Sequence, residues 1–261
     1  MLVARTGQAS QGRVASSARS VAILDALAEA GALGTNELAR RTGMSPSTAS
    51  RQLGTLLDGG LIEFVEQTGQ YRLGLRLVRL GNAVLARLDV RNVARAYLET
   101  LVAAVGETAT LSVPATYDAI TVDFVPTQHY VQGVTQLGRP SIGHATAAGK
   151  IVLAFTDRAP RTPLTAYTKR TITDAAALEA ELARVRERGW AGAYEEREQG
   201  LNAVAAPIWN SLGELEAIVA VQGPIPRFGH KPAAQAVPAL LEQADAISQA
   251  LGYALSASSS A

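Results

Sequence analysis

Cysteine is absent from all 261 residues. Disulfides, thiol catalysis and cysteine-bound metals are therefore excluded, and a cytoplasmic protein is expected. Histidine is nearly absent too: His129, His144 and His230 stand far apart. They are not spaced for a metal set or for a nucleophile–base pair. Aromatic residues make up only 5% of the chain. No run of 18 apolar residues exists to suggest a membrane span, and the start, MLVARTGQASQGRVASSARS, lacks the apolar centre of a secretion signal. Lysine does not occur before Lys150, so arginine alone makes the first third basic. Residues 1–88 carry ten arginines against six acids, whereas the rest holds 14 basic and 17 acidic groups. That asymmetry suggests an anionic polymer as partner of the N-terminal part only.

What is present suits two modest domains or one large one, since 48% hydrophobic residues are enough for real cores. Residues 1–16 are rich in Gly, Ser, Gln and Ala and read as a flexible basic arm. From Ser17 the apolar residues Val21, Ile23, Leu24, Leu27 and Ala28 repeat at helical spacing. Gly31 and Gly34 end that helix, and Thr35 can cap a short second one over NELARRTG. Ser45-Pro46 opens a third helix, with serine as N-cap and proline at the first helical position. LIEFVEQ and QYRLG then form a hairpin around Thr68-Gly69. Helix, helix, turn, helix, hairpin is the order of a winged helix-turn-helix, placed here at 17–72. In the third helix Ala49, Leu53, Leu56 and Leu57 share the buried face. The opposite face shows Ser47, Thr48, Ser50, Arg51 and Gly54, compact enough to enter a major groove. With Thr35, Arg40, Gln52 and Arg72, the residues Ser47, Thr48, Ser50 and Arg51 are the expected DNA contacts.

Residues 73–89 contain LGLRLVRLGNAVLARL, an amphipathic linker helix whose stripe is Leu73, Leu77, Leu80 and Val84. Such a helix packs on a neighbouring domain or pairs with a copy of itself. The dimer-forming residues are expected to be Leu77, Leu80 and Val84. Residues 90–261 alternate helices with strands joined by tight turns, which indicates an α+β domain with a largely antiparallel sheet.

The stretch SIGHATAAGKIVLA, 141–154, superficially suggests a phosphate-binding loop. That loop needs four residues between its glycines and a Ser or Thr after the lysine to hold magnesium. Here five residues separate Gly143 from Gly149, and Ile151 follows Lys150. Nucleotide hydrolysis is excluded. Instead, Thr146 can cap a helix whose first amides, at Ala147, Ala148 and Gly149, face an anion. A helix start packed tightly under a strand would choose the same small residues, and both readings stand on these residues alone.

In order along the chain, TNELARRTGMSPSTASRQLGTLLDGGLIE, YRLGLRLVRLG, GETATLSV, GHATAAGKIVLA, RTITD with ELARVRERGWA, and EEREQGLNAVAAPIWNSLGELEAIVAVQGP resemble the IclR-type bacterial transcription regulators. The match spans nearly the whole length. The resemblance implies an N-terminal winged helix, a linker helix, and a GAF-like C-terminal domain over 90–261 that binds a small effector. It also implies double-stranded palindromic operators bound by homodimers, often paired into tetramers. In that family the helix start after Thr146 receives the effector's carboxylate. Four further pocket positions fall here on Ala193, Ala203, Ala220 and Gln222. Three alanines leave a wider, more apolar cavity than a two- or three-carbon keto acid requires, so an aromatic acid is expected. Tyr130, His129 and His144 lie near that pocket and could reach a ring substituent, although a lone His or Tyr is commonly structural. Glu195-Glu196 has no partner for acid–base work, and the family resemblance gives Glu196 a structural role in tying down neighbouring backbone. The expected function is a ligand-responsive regulator, a repressor of a catabolic operon, with no cofactor, metal or catalytic site. An activator, a keto-acid sensor, a ligand-free structural DNA-binding protein, and an enzyme carrying a DNA-binding appendage are the alternatives.

Overall fold

The computed structural model describes residues 15–85, 89–130 and 135–253. The expected arm therefore lies outside the described residues except for Ala15 and Ser16, which are helical. The side chain of Val84 is outside them too. The chain divides into two units, Met1–Arg87 and Leu88–Ala261.

In the first unit α1 (Ala15–Ala30) is followed by β1 (Ala32–Leu33), α2 (Thr35–Thr42) and α3 (Pro46–Asp58). Ser45 caps α3 as its sequence suggests, accepting from the Thr48 amide at 3.3 Å, with Pro46 opening the helix. The cap expected of Thr35 does not form. Gly34 occupies the N-cap position without a side-chain bond, and Thr35 is already helical. The hairpin is β2 (Ile62–Val65) and β3 (Gln70–Leu73), and β1 adds to it to give the order β1-β3-β2. Ile23, Leu27, Leu33, Leu38, Leu53, Leu56 and Ile62 form its core. Leu73 belongs to β3 and packs against that core, so the helix α4 (Arg76–Leu85) starts three residues after it. An apolar residue on either period fits the pattern, and pairing opposite Ile62 across the hairpin wins.

The second unit runs α5 (Asp89–Val105), β4 (Thr108–Pro114), β5 (Ala119–Val125), β6 (Pro140–Ser141), α6 (Ala147–Phe155), α7 (Ala175–Arg188), β7 (Ala191–Tyr194), β8 (Leu201–Trp209), β9 (Leu215–Pro224) and α8 (His230–Ala250). Its six strands form one sheet, ordered β6-β5-β4-β9-β8-β7, in which every pairing is antiparallel. This is the α+β class expected. Helices α5 and α8 pack together and on the sheet, while α6 and α7 pack together against a cluster that includes Ala193, Ala205, Ile218 and Ala220.

Register decides which side chains look toward α6. Ala193 pairs with Ala203, which pairs with Gln222, which pairs with Thr108. Two residues along, Ala205 pairs with Ala220, and Ala220 with Thr110. Side chains two apart share a face, so both rows look the same way. The three alanines and Gln222, far apart in sequence, thus become neighbours on the face that α6 covers.

Candidate functional site

The third helix of the first unit presents a polar, compact face. Ala49, Leu53 and Leu56 are buried, while Ser47, Ser50, Arg51 and Thr55 are exposed and Thr48 is half-buried. Arg51 makes no ion pair among the described residues, so its guanidinium is available to a base edge or a phosphate. Gln52 is not available. It is only 4% exposed, accepting from the Ser20 hydroxyl at 2.9 Å and donating to Ser16 at 3.1 Å. Its role is to tie α3 to α1, which removes it from the expected DNA contacts. Arg40 and Arg72 are exposed but engaged: Arg40 and Arg41 both hold Glu37, and Arg72 holds Glu63 across the hairpin at 2.9 Å. Hydrogen bonds from Arg40 first, and Arg41 second, hold the Glu37 carboxyl down at about 2. Such surface pairs are weak and can exchange an acid for a phosphate. Thr35 is half-buried at the start of α2.

On α4 and just before it, Leu75, Val78 and Leu80 are exposed at 77%, 58% and 47%. Leu77 is half-buried. The apolar face left uncovered within this unit therefore includes Leu75 and Val78, which the sequence stripe did not contain.

In the second unit a cleft opens between the sheet and the N-terminal turn of α6. The space within it, counted out into open solvent, is about 710 Å³. Ala147, Ala148, Ala193, Ala203, Ala220 and Gln222 all line it, so six of the nine expected effector residues are brought together. Thr146 caps α6 as expected, but its hydroxyl accepts from the Gly149 amide at 3.0 Å. Gly149 is thereby removed from the anion site, and the donors left at the helix start are Ala147 and Ala148. Gly149 serves packing instead: a Cβ there would collide with the Ile142 carbonyl and the Cα of Gly143. Tight packing and an open helix start, the two readings of these residues, each describe part of the stretch.

Two other expected residues fall away. Tyr130 is fully exposed and does not line the cleft. His144 is buried at 2% exposure, with its Nε2 3.0 Å from the Thr165 carbonyl and its ring 6.0 Å from that of Tyr167. It braces a loop rather than facing a ligand. His129, too, is absent from the lining. Gln222 faces the cleft, yet its amide donates to the Thr135 hydroxyl at 2.7 Å, strapping the segment 135–141 over the sheet.

Sequence reasoning missed the polar walls. Thr110, Thr121, Ser141, Arg139, Glu196 and Glu198 all line the cleft, so polar and charged groups stand around its alanine floor. Arg139 and Glu198 form an ion pair across 59 residues of sequence. Lys150 is the largest surprise. It is 1% exposed, and its Nζ donates to the Gly192 carbonyl at 2.9 Å and to Glu196 Oε1 at 2.7 Å. The Gly-Lys pair that imitates a phosphate loop is thus half of a buried ion pair. Burial pushes the Glu196 carboxyl above the ordinary carboxylate range, and the Lys150 ammonium opposes that shift. Oε2 of Glu196 has no side-chain hydrogen-bond partner among the described residues. Glu196 keeps part of the backbone-holding role expected of it, since the Tyr194 amide also donates to its carboxyl, and its neighbour shares that role: the Glu195 carboxylate accepts from the Gly200 amide at 3.1 Å. Glu195 adopts a left-handed φ of 58°, fixing the turn that carries Glu196 into the cleft. A lone lysine followed by IVLA was the one available signal of its burial. No cluster of three or more potential metal ligands exists among the described residues.

Comparisons with known proteins bear on both units. Residues 16–66 match the IclR helix-turn-helix domain, and residues 82–249 match the bacterial transcriptional regulator IclR C-terminal family. HTH-type transcriptional regulator XynR of Escherichia coli (strain K12) is 31% identical over 242 residues, covering 90% of this chain and 96% of that one. The transcriptional repressor IclR of the same organism is 30% identical, covering 83% and 82%. Among solved structures, an IclR transcriptional regulator from Alicyclobacillus acidocaldarius superposes with a TM-score of 0.77 at 28% identity, covering 92% of this chain and all of that one. An IclR homolog from Microbacterium hydrocarbonoxydans, solved with 4-hydroxybenzoate, gives 0.73 at 25% identity, covering 91% and 99%. With a helix-turn-helix unit and a cleft-bearing α+β unit both matched along their lengths, this chain belongs to the IclR family of DNA-binding transcriptional regulators.

Proposed function

We propose that the protein represses a catabolic operon in the cytoplasm, bound as a homodimer or a dimer of dimers to a palindromic operator, and that a small carboxylic acid in the cleft modulates this binding. The contacts to DNA are Ser47, Thr48, Ser50 and Arg51, with Thr35, Arg40 and Arg72 at the flanks. The dimer seam runs through Leu77, Leu80 and Val84. The effector's carboxylate sits on the amides of Ala147 and Ala148, and an aromatic body lies over Ala193, Ala203 and Ala220.

One observation carries the reading: Ala147 and Ala148, the first two residues of a buried helix, whose amides have no partner within the helix, line the alanine-floored cleft. A helix start offers partial positive charge and donors that need partners, and a carboxylate supplies both. The ligand of the Microbacterium relative, 4-hydroxybenzoate, has the same two parts, an acid and a ring. Calorimetry tests the idea with benzoate, benzamide, pyruvate and glyoxylate. Benzoate should bind most tightly, and its uncharged amide should bind about tenfold more weakly, having lost charge-assisted hydrogen bonds. Equal binding of acid and amide would refute the anion site, and a keto acid that outbinds benzoate would refute the aromatic body.

A further inference from the structure

The arginines expected at the DNA differ in one respect. Arg51, exposed on α3, makes no ion pair among the described residues, whereas Arg40, Arg41 and Arg72 are each held by an acid of their own unit. Glu37 accepts from Arg40 with both oxygens, from Nη2 at 2.6 Å and from Nε at 2.8 Å, and from Arg41 Nε at 2.8 Å. Glu63 accepts from Arg72 Nε at 3.1 Å and Nη2 at 2.9 Å. Residues 37, 40 and 41 are three and four apart and share one face of α2, away from the buried Leu38 and Ala39. In a helix-turn-helix the helix before the recognition helix crosses the DNA backbone. A phosphate offers a guanidinium the same oxygen acceptors as a carboxylate, and exposed ion pairs of this kind add little to stability.

We infer that Glu37 and Glu63 are internal stand-ins for DNA phosphates, which mask Arg40, Arg41 and Arg72 and so limit the affinity of this unit for DNA of any sequence. The inference rests on the proposed DNA contacts at Arg40 and Arg72. Two arginines and one carboxylate leave the α2 cluster at +1 rather than +2, and Arg72 with Glu63 at zero rather than +1. Each acid therefore removes one phosphate neutralisation. Affinity for duplex DNA falls with about the 0.9 power of salt concentration per neutralised phosphate, so each acid lowers affinity about eightfold at about 0.1 M salt and hardly at all near 1 M. Phosphates carry no sequence information. Masking thus shortens the stay on non-operator DNA and leaves base reading to Arg51.

Fluorescence anisotropy on the full chain tests this with two labelled duplexes of equal length, one from upstream of the protein's own gene and one unrelated. Glu37→Gln and Glu63→Gln should each bind both duplexes about eightfold more tightly at about 0.1 M salt, with a salt dependence steeper by about 0.9. Thermal melting establishes that the variants are folded, as expected where both carboxylates reach solvent. In an Arg40→Gln/Arg41→Gln background, adding Glu37→Gln should gain less than about twofold, because only screened repulsion from DNA is then relieved. The inference is overturned if either single variant binds like wild type or more weakly, if the gain is confined to one duplex, or if the full gain survives loss of both arginines. In those cases weakened binding by Arg40→Gln and Arg72→Gln would leave the DNA contacts standing. If the wild-type chain binds neither duplex, the contacts and the inference fall together.

Discussion

Replacing Lys150 with methionine should destabilise the second unit severely, although the side chains are similar in length. The ammonium supplies two hydrogen bonds, to Glu196 Oε1 and to the Gly192 carbonyl. Without it the buried Glu196 carboxylate loses its only side-chain partner among the described residues. Two unit charges 2.7 Å apart attract by about 6 kcal/mol at an effective dielectric of about 20. Stripping one partner from a buried pair characteristically costs about 3–5 kcal/mol. The variant can escape part of this by protonating Glu196, and that escape gives the loss a pH dependence. Burial already raises the Glu196 carboxyl above 4.5, its ordinary value, and removing the opposing ammonium raises it further. An acid with a raised folded-state pKa binds more protons folded than unfolded, so stability is highest below 4.5 and falls as pH rises from there toward the folded-state value. Urea denaturation at pH 5 and pH 8 should therefore show the larger loss at pH 8. Lys150→Met/Glu196→Gln should recover most of it. A single variant within about 1 kcal/mol of wild type at pH 8, or a double variant no better than the single, would refute the reasoning.

Arg51→Ala should weaken operator binding by about 1–3 kcal/mol if the guanidinium reads a base, with effector affinity unchanged; a gel shift like that of wild type would remove Arg51 from the interface. Leu80→Glu should place a charge in the proposed dimer seam, lowering the mass seen by sedimentation and weakening operator binding, whereas unchanged mass and affinity would reassign that face. Glu37, held at about 2 by Arg40 and Arg41, contributes stability that is present above pH 4.5 and lost as pH falls toward 2. Because the group is on the surface the effect is salt-sensitive, and its NMR titration midpoint should climb toward 4.5 in 1 M salt; a midpoint near 4.5 at low salt would contradict the ion pair. Ala220→Phe should fill the cleft and abolish binding of ring-containing acids without unfolding the unit, as measured by calorimetry and thermal melting.

Where physical cause is local, the sequence was legible. Ser45 ahead of Pro46 and Thr146 ahead of Ala147 both cap the helices their side chains suggest. The hairpin strands β4 with β5 and β8 with β9 follow from alternation and tight turns. The two-residue strands β1 and β6 carry too little pattern to see, and β7, Ala-Gly-Ala-Tyr, is mostly small residues, unlike the equally short β2 and β3. The site was harder because its chemistry is paired across distance. Lys150 and Glu196 are 46 residues apart, Gln222 and Thr135 are 87 apart, and Gln52 finds Ser16 and Ser20 on another helix. A polar side chain that looks free in a helical projection is buried when a partner waits on the neighbouring element. The alanines of the cleft floor were placed through family resemblance, and the sheet register explains why they meet. The polar walls were invisible to that comparison because it followed only four positions.

The central claim is that occupancy of the cleft changes the affinity of the helix-turn-helix unit for DNA. Fluorescence anisotropy on a labelled duplex from the DNA upstream of the protein's own gene, at fixed salt, measures this directly. With and without a carboxylic acid at saturation by calorimetry, the operator affinity should differ by about tenfold or more, and the same factor should appear as a change in acid affinity when DNA is bound. Equal operator affinity with the cleft full and empty would contradict the account.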